Sequence, residues 1–160
     1  MTYTHPSGEV SAELHARDSV DSITFQTSGT HVRFVAPGSA TRGEFGLFEW
    51  NMLPGTGGAD PHFHRTFSES FFVTSGAVEL YDGSRWVGAR SGDFLYVPRG
   101  GVHGFRAVSD DSCSMLILFS PAPPRERYFR ALAEIRDSGR TLTDEEWTEF
   151  LASHDQYSAS

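Results

Sequence analysis

The sequence predicts an all-β protein, a small jelly-roll barrel followed by a C-terminal tail of two helices. Between residues 21 and 120, short runs of strand-forming residues alternate with turns that contain Gly or Pro. There are about eight to ten such runs, as expected of a jelly roll. After the Pro-rich stretch 121–124, apolar residues recur at helical spacing instead. We therefore expect an N-terminal arm at 1–20, the barrel at 21–120, and a tail at 121–160 that belongs to the same domain.

The first strands of the barrel are predicted between Ser22 and Met52. Val32 and Phe34 share one parity, which places His31 on the opposite side, outside the core. The next strand, Glu44–Met52, is apolar on both parities, so both of its faces are expected to be covered, as when a barrel wall also meets a second subunit.

A Gly-rich turn after this strand leads to two histidines that are one residue apart, His62 and His64. Residues i and i+2 of a strand point to the same face, so the two imidazoles can converge on one ion. Glu69 follows five residues later and can return to the same point if Arg65–Ser68 bends the chain. Two nitrogens and one carboxylate oxygen suit a borderline divalent metal.

A third histidine follows a second turn. The strand Asp93–Val97 enters a Pro-Arg-Gly-Gly turn, and the short strand that leaves it carries His103. Pro sets φ in such a turn, and Gly allows conformations closed to other residues. By parity with Glu69 and His103, Phe71 and Phe105 are the candidates to line a substrate pocket, with ordinary core packing as the alternative. An aromatic-lined pocket favours an apolar or aromatic ligand.

These two stretches resemble the two motifs of the cupin superfamily over about residues 45–119. In the first motif Glu69 and Gly76 are in register, whereas Thr56 stands where the family has its leading Gly. In the second motif Ala107 replaces the final Asn. The remaining positions of the second motif match: Gly92, Pro98, Gly100 and His103. The resemblance implies that one divalent transition metal (Fe, Mn, Ni, Co, Cu or Zn) is held by His62, His64, Glu69 and His103.

Within that superfamily, the chain looks like single-domain cupins related to quercetin 2,3-dioxygenase. This resemblance implies a metal-dependent dioxygenase that acts on an aromatic or enolisable small molecule, such as a flavonol, a diketone or a polyketide-like compound. Glu69 would be both a metal ligand and the base that takes the substrate proton. Three alternatives stay open: an O2-independent polyketide cyclase or isomerase that uses the metal as a Lewis acid, a non-catalytic small-molecule-binding cupin, and a barrel that keeps these side chains as a metal-free core.

The composition excludes several other classes of function. The formal net charge is −8 and all 13 basic residues are arginines, so the sequence offers no lysine for a Schiff base and disfavours nucleic-acid binding. There is no long apolar run to span a membrane and no secretory signal at the N-terminus. The single cysteine, Cys113, cannot form an internal disulfide. We expect a cytoplasmic protein and, from the apolar strand 44–52 and the family resemblance, a homodimer.

The tail is predicted to contain two helices. Residues 125–137 place Tyr128, Leu132 and Ile135 on one face, and Gly139 follows the end. Thr143-Asp-Glu-Glu146 forms a capping box at the start of the second helix, which is too acidic to suggest a DNA-binding unit. Three arginines near the motifs could hold a substrate anion or lie on the surface: Arg65, Arg99 and Arg106.

Overall fold

The computed structural model describes residues 2–9 and 11–159. In this part of the chain there are ten strands and two α-helices. The strands are β1 (Ser22–Thr24), β2 (His31–Ala36), β3 (Gly46–Met52), β4 (Gly58–Phe63), β5 (Ser68–Tyr81), β6 (Trp86–Arg90), β7 (Phe94–Val97), β8 (His103–Ala107), β9 (Cys113–Ser120) and β10 (Tyr157–Ser158). The helices are α1 (Arg125–Asp137) and α2 (Asp144–Ser153).

The strands form an antiparallel jelly roll in which β5 belongs to two hydrogen-bonded layers. The main path runs β1-β2-β3-β9-β5-β8-β4-β10, and both β6 and β7 also pair with β5. The first half of β5 pairs with β7 and β9, whereas its second half pairs with β6 and β8. Among the described residues this path does not return on itself, so the barrel is open at its edges. The predicted all-β fold class is confirmed.

The transition between the two layers lies at Gly76. The register of β5 against β9 shifts between Val73 and Ser75, and Gly76 follows with φ +69°. A Cβ atom on Gly76 would overlap the carbonyl oxygen of Ser112, which immediately precedes β9. Only glycine combines this left-handed backbone with so close an approach, which explains the glycine that the motif comparison placed here.

The core lies between the two layers and under α1. Strands β3 and β9 alternate buried and half-buried residues along their length, with Phe48, Trp50, Ile117 and Phe119 pointing inwards. Phe48 meets Phe119 and Phe129 of α1 edge-on, with ring centroids 5.7 and 5.2 Å apart. The tail is therefore packed against the barrel.

The other face of β3 is only partly covered by the described residues. Phe45 is exposed and Leu47 is half-buried, so the expectation of two covered faces is not met by the chain alone. His31 lies outside the core as expected, where its ring hydrogen-bonds to Thr24, while Val32 and Phe34 are buried.

In the described residues, the N-terminal arm is exposed, and the C-terminal tail contains one strand besides its two helices. The arm is exposed, including His5 and His15, in the part that the structure describes. The capping box at Thr143 and Glu146 is confirmed. Sequence patterns did not indicate β10, whose Tyr157 and Ser158 pair with Phe63 and His62 of β4. No helix of the described residues is long and apolar enough to cross a membrane.

Candidate metal centre

Four predicted ligands converge inside the barrel. The potential ligand atoms of His62, His64, Glu69 and His103 all lie within 4.8 Å of one another, and all four residues are buried. The register of the sheet explains much of this arrangement, because His62 of β4 stands directly opposite His103 of β8. Directly opposed residues of an antiparallel pair project to the same face, so their imidazoles meet.

His64 and Glu69 reach the same point because the chain bends between them. Strand β4 ends at Phe63 and β5 begins at Ser68. The carboxylate of Asp155, in the tail, holds the bend by accepting hydrogen bonds from the backbone N–H groups of Arg65 (3.1 Å) and Thr66 (2.9 Å). The predicted bend is therefore present, and a residue of the tail stabilises it.

The three imidazoles are oriented by backbone carbonyl groups. Each Nδ1 atom lies at hydrogen-bonding distance from a carbonyl oxygen: Asp60 for His62 (2.7 Å), Asp155 for His64 (2.6 Å) and Gly101 for His103 (3.0 Å). A carbonyl oxygen can only accept, so each Nδ1 must carry the proton. The Nε2 atoms then present lone pairs to the interior of the barrel, as in metal-ligating histidines.

The Glu69 carboxylate lies among these nitrogens. Its Oε2 atom is 3.0 Å from Nε2 of His64 and 2.7 Å from Nε2 of His103. Acceptor-only groups at such distances need a cation or a proton between them. These short distances between acceptor atoms are the observation that supports a metal site at this position.

The pKa shifts describe how the four side chains influence one another's protonation when no metal ion is bound. Burial lowers the pKa of His62 to about 3, and repulsion by His103 acts in the same direction. Burial by itself would lower the pKa of His103, but the charge and hydrogen bond of Glu69 outweigh it and raise that pKa. Burial would raise the pKa of Glu69, yet His103 and His64 hold it well below its ordinary value. The opposite pKa shifts of Glu69 and His103 show that each group favours the charged form of the other, and a bound metal ion would compete with protons for these ligand atoms.

The donor set fits a divalent transition metal. Three imidazole nitrogens and one carboxylate oxygen suit Fe, Mn, Co, Ni, Cu or Zn. The buried cluster of three histidines and one glutamate could therefore bind such an ion through His62, His64, Glu69 and His103. Four protein ligands would leave room in a five- or six-coordinate shell for a substrate atom.

The cluster faces a cavity of about 610 Å3 between the barrel and the tail. His62 and Glu69 line the cavity, whereas His64 and His103 lie behind them. The walls are mostly apolar and aromatic, from β3, β8, β9 and α1: Trp50, Phe105, Ile117, Phe119, Tyr128, Phe129 and Leu132. A volume of this size is typical of small-molecule sites.

The two predicted pocket residues lie at different depths. Phe105 lines the cavity, and its ring packs edge-on against Trp50 with centroids 5.6 Å apart. Phe71 is fully buried, with its ring 5.8 Å from those of both His103 and Phe105, and does not reach the cavity surface. Phe71 therefore packs behind the cavity wall, and contact of Phe105 with a substrate stays a prediction.

The arginine that enters this cavity most deeply is one that sequence reasoning overlooked. Arg106 lines the cavity but pairs with Glu79 in an exposed ion pair, and Arg65 stacks over Tyr157. Arg125, the first residue of α1, is buried and lines the cavity. Its position next to a Pro-rich stretch at the start of a helix gave no indication that its guanidinium group would turn inwards.

Comparisons with known proteins agree with this fold. Residues 48–119 match the family model of the cupin domain. An uncharacterized protein from Aquifex aeolicus (strain VF5) is 36% identical over 62 residues, which are 39% of this chain and 50% of that protein. The chain thus spans about half the length of the curated relative that it matches.

Solved structures with a similar fold belong to proteins that are named for different activities. The polyketide cyclase RemF from Streptomyces resistomycificus has a TM-score of 0.58 and 24% identity, over 71% of this chain and 83% of that one. A sugar phosphate isomerase of the cupin superfamily from Silicibacter pomeroyi has a TM-score of 0.56 and 22% identity, over 66% and 74%. A predicted oxalate decarboxylase from Thermotoga maritima has a TM-score of 0.59 and 13% identity, over 68% and 99%.

Because these solved structures are less than 25% identical to the chain, they establish only its fold. The more specific resemblance to quercetin 2,3-dioxygenase stays a prediction. The family match and the fold nevertheless agree with the two motifs that contain the four clustered residues. The family match and the fold together identify residues 48–119 as a cupin domain.

Proposed function

We propose that this protein is a metal-dependent enzyme that acts on a small aromatic or enolisable molecule. The observation that carries the proposal is that Glu69 belongs both to the candidate ligand cluster and to the wall of the 610 Å3 cavity. A structural metal site is normally closed by its protein ligands, whereas a catalytic site keeps a position accessible to substrate. Here two of the four candidate ligands face a cavity large enough for such a substrate.

The residues around the cavity have distinct roles in this proposal. When bound, the metal would polarise a substrate carbonyl or hydroxyl oxygen as a Lewis acid and, if redox-active, would also react with O2. Glu69 accepts the proton that the substrate loses, because its carboxylate belongs to the candidate ligand cluster and also lines the cavity where the substrate would bind. The aromatic wall around Trp50 and Phe105 packs against the substrate and excludes water.

The reaction that we propose first is dioxygenation, in which both atoms of O2 enter the substrate. The mixed nitrogen and carboxylate donor set suits the redox-active metals Fe, Mn, Ni, Co and Cu as well as Zn. The apolar wall of the cavity suits a flavonol, a diketone or a polyketide-like phenol.

A second candidate is an O2-independent cyclase or isomerase. It is favoured by the buried guanidinium group of Arg125 in the same cavity, because a fixed cation stabilises an oxyanion without redox chemistry. The polyketide cyclase RemF shares the fold.

One experiment distinguishes these candidates. The protein is purified without added metal, its metal content is measured, and it is incubated with flavonols, diketones and phenols under 18O2 and under argon. Dioxygenation predicts products that gain two 18O atoms under 18O2 and no turnover under argon. Equal turnover under both gases would favour the cyclase or isomerase, and tight binding with no product would favour a non-catalytic binding protein.

Replacing Glu69 with Gln tests the proposed base. Gln keeps the size of the side chain and one oxygen atom but cannot accept a proton, so we expect kcat to fall by about 10²–10⁴-fold. The measurement is turnover normalised to bound metal, which separates loss of the base from loss of the ion. Turnover within about tenfold of the wild type, at equal metal occupancy, would show that Glu69 is not the base.

We also propose a homodimer through the outer face of the sheet formed by β7, β5 and β9. Phe94 lies opposite Phe72 in the β5–β7 pair, and both side chains are exposed, as is Tyr96. Adjacent exposed aromatic side chains are typical of protein interfaces. Light scattering is expected to give twice the chain mass for the wild type and for L53E, which changes an exposed leucine elsewhere, and the chain mass for F94E. A monomeric wild type would contradict the proposal.

A further inference from the structure

The cavity beside the candidate metal centre contains a buried positive charge, Arg125, that forms no salt bridge among the described residues, although the carboxylates of Glu69 and Asp155 attract it from a longer distance. Arg125 is only 4% exposed. Its two terminal nitrogens donate to the backbone carbonyl of His154 (3.1 Å) and to the side-chain carbonyl of Gln156 (3.0 Å), which are both neutral groups. The ion pairs of arginine in the described residues involve other positions: Arg33, Arg85, Arg106, Arg130 and Arg140.

Arg125 also has a donor to spare. Its Nε–H group is buried and has no hydrogen-bond acceptor among the described residues. The guanidinium carbon lies 4.0 Å from the ring centroid of Tyr128, so the group is stacked and cannot easily turn towards solvent. A buried charged donor without an acceptor is strongly unfavourable. An acceptor supplied by a ligand in the cavity would remove that cost.

A second spare donor lies in the wall of the same cavity. The indole Nε1–H group of Trp50 is buried and likewise has no acceptor in the part of the chain that the structure describes. The ring is held edge-on by Phe105 and Phe129, with centroids 5.6 and 4.9 Å away. Trp50 comes from β3 and Arg125 from α1, so the barrel and the tail each contribute one unused donor.

The charges around the cavity favour an anion. The acidic side chains in its lining are Glu69, which belongs to the candidate ligand cluster, and Asp60, which is exposed. The lining also contains the guanidinium groups of Arg125 and Arg136, and that of Arg106, which is already paired with Glu79. A divalent ion held by neutral imidazoles and one carboxylate would add a further net positive charge. The guanidinium group of Arg125 is protonated at neutral pH, so its charge is permanent.

We infer that Arg125 and Trp50 bind a carboxylate group of the substrate, which makes the substrate a small organic acid with an aromatic or other apolar body. A carboxylate is planar, offers only acceptors, and matches the guanidinium and indole N–H donors. The apolar side chains that line the same cavity accommodate the body of the acid. That the bound acid is a substrate rests on the proposed function. That Arg125 and Trp50 bind a carboxylate does not depend on the proposed function.

A purely structural role of Arg125 is the competing explanation. Through His154 and Gln156 the guanidinium group also holds the segment that contains Asp155, whose carbonyl oxygen orients His64. The test therefore needs a readout that reports on the carboxylate itself and not only on the fold of the tail.

The experiment compares benzoate with its neutral analogue benzamide by calorimetry, using metal-free and zinc-loaded protein. The metal-free arm removes direct coordination of benzoate by zinc. We expect benzoate to bind at least about tenfold more tightly than benzamide, and R125Q to lose that preference. R127Q is the matched control, because Arg127 is exposed on the same helix and lies outside the cavity lining. In wild-type protein labelled with 15N, benzoate is expected to shift the Nε–H resonance of Arg125.

The outcomes separate the inference from the proposed function. Equal binding of benzoate and benzamide, an unchanged preference in R125Q, or an Nε–H resonance that saturating benzoate does not shift would each overturn the inference. If R125Q does not fold, the wild-type resonance decides. Failure of zinc to bind would refute the metal-dependent function while leaving the metal-free comparison valid, and zinc affinity measured for R125Q shows whether the site around His64 has been disturbed.

Discussion

Replacing His103 with Ala will weaken metal binding by at least about 100-fold, because removing a group that only orients a ligand already costs about 10–100-fold. His103 lies opposite His62 in the sheet, and its Nε2 atom is 2.7 Å from Glu69. No other donor of the described residues belongs to the cluster, so none can replace it. The measurement is metal content after dialysis, followed by competition with a chelator of known affinity.

The matched control for this change is His15→Ala. His15 is an exposed histidine in the arm, so this variant removes the same side chain far from the cluster. We expect its metal affinity to equal that of the wild type. An H103A variant that folds and keeps its affinity within about tenfold would mean that the four residues do not form a metal site.

Replacing Gly76 with Ala will lower the free energy of unfolding by about 2 to 5 kcal/mol. A left-handed backbone costs a residue with a Cβ about 1–2 kcal/mol, and forcing an atom into a filled space costs about 1–3 kcal/mol more. At Gly76, φ is +69° and the new Cβ would overlap the carbonyl oxygen of Ser112. The contacted oxygen belongs to the backbone of Ser112, immediately before β9, so it cannot move without disturbing that strand. Urea unfolding measures the loss.

Gly139→Ala separates the two causes. Gly139 has φ +70°, almost the same as Gly76, but apart from its two chain neighbours no described residue has an atom within 4 Å of where its Cβ would be. Only the cost of the left-handed backbone, about 1–2 kcal/mol, is expected there. If G76A and G139A lost equal stability, the close approach of Ser112 would have no energetic consequence.

The tail holds the candidate metal centre together with the two motifs. Asp155 has φ +53°, a left-handed conformation that Asp tolerates better than most residues. Its carbonyl oxygen accepts from the ring of His64, and its carboxylate accepts from the backbone of the bend after His64. Arg125 then ties the adjacent His154 and Gln156 to the start of α1. The predicted barrel and tail are thus linked at the candidate metal centre.

Parts of the candidate ligand set could be predicted from local patterns, whereas the complete set of four was implied by the resemblance to the cupin motifs. His62 and His64 share a face through the period of a strand, and the turn from Pro98 to Gly101 delivers His103 within five residues. The capping box of α2 was predictable for the same reason, since it involves residues only three apart. Patterns of this kind need no knowledge of which strands pair.

The tertiary structure alone decided the rest. The opposition of His62 and His103 depends on the β4–β8 register, and the carbonyl that orients His64 belongs to a residue 91 positions away. The inward turn of Arg125, the addition of β10 to the sheet and the position of Phe71 behind the cavity wall depend in the same way on distant packing. Local periodicity determines which way a side chain points from its own strand or helix. What that side chain meets is determined by contacts between distant parts of the chain, and these have no signature in the sequence of either part.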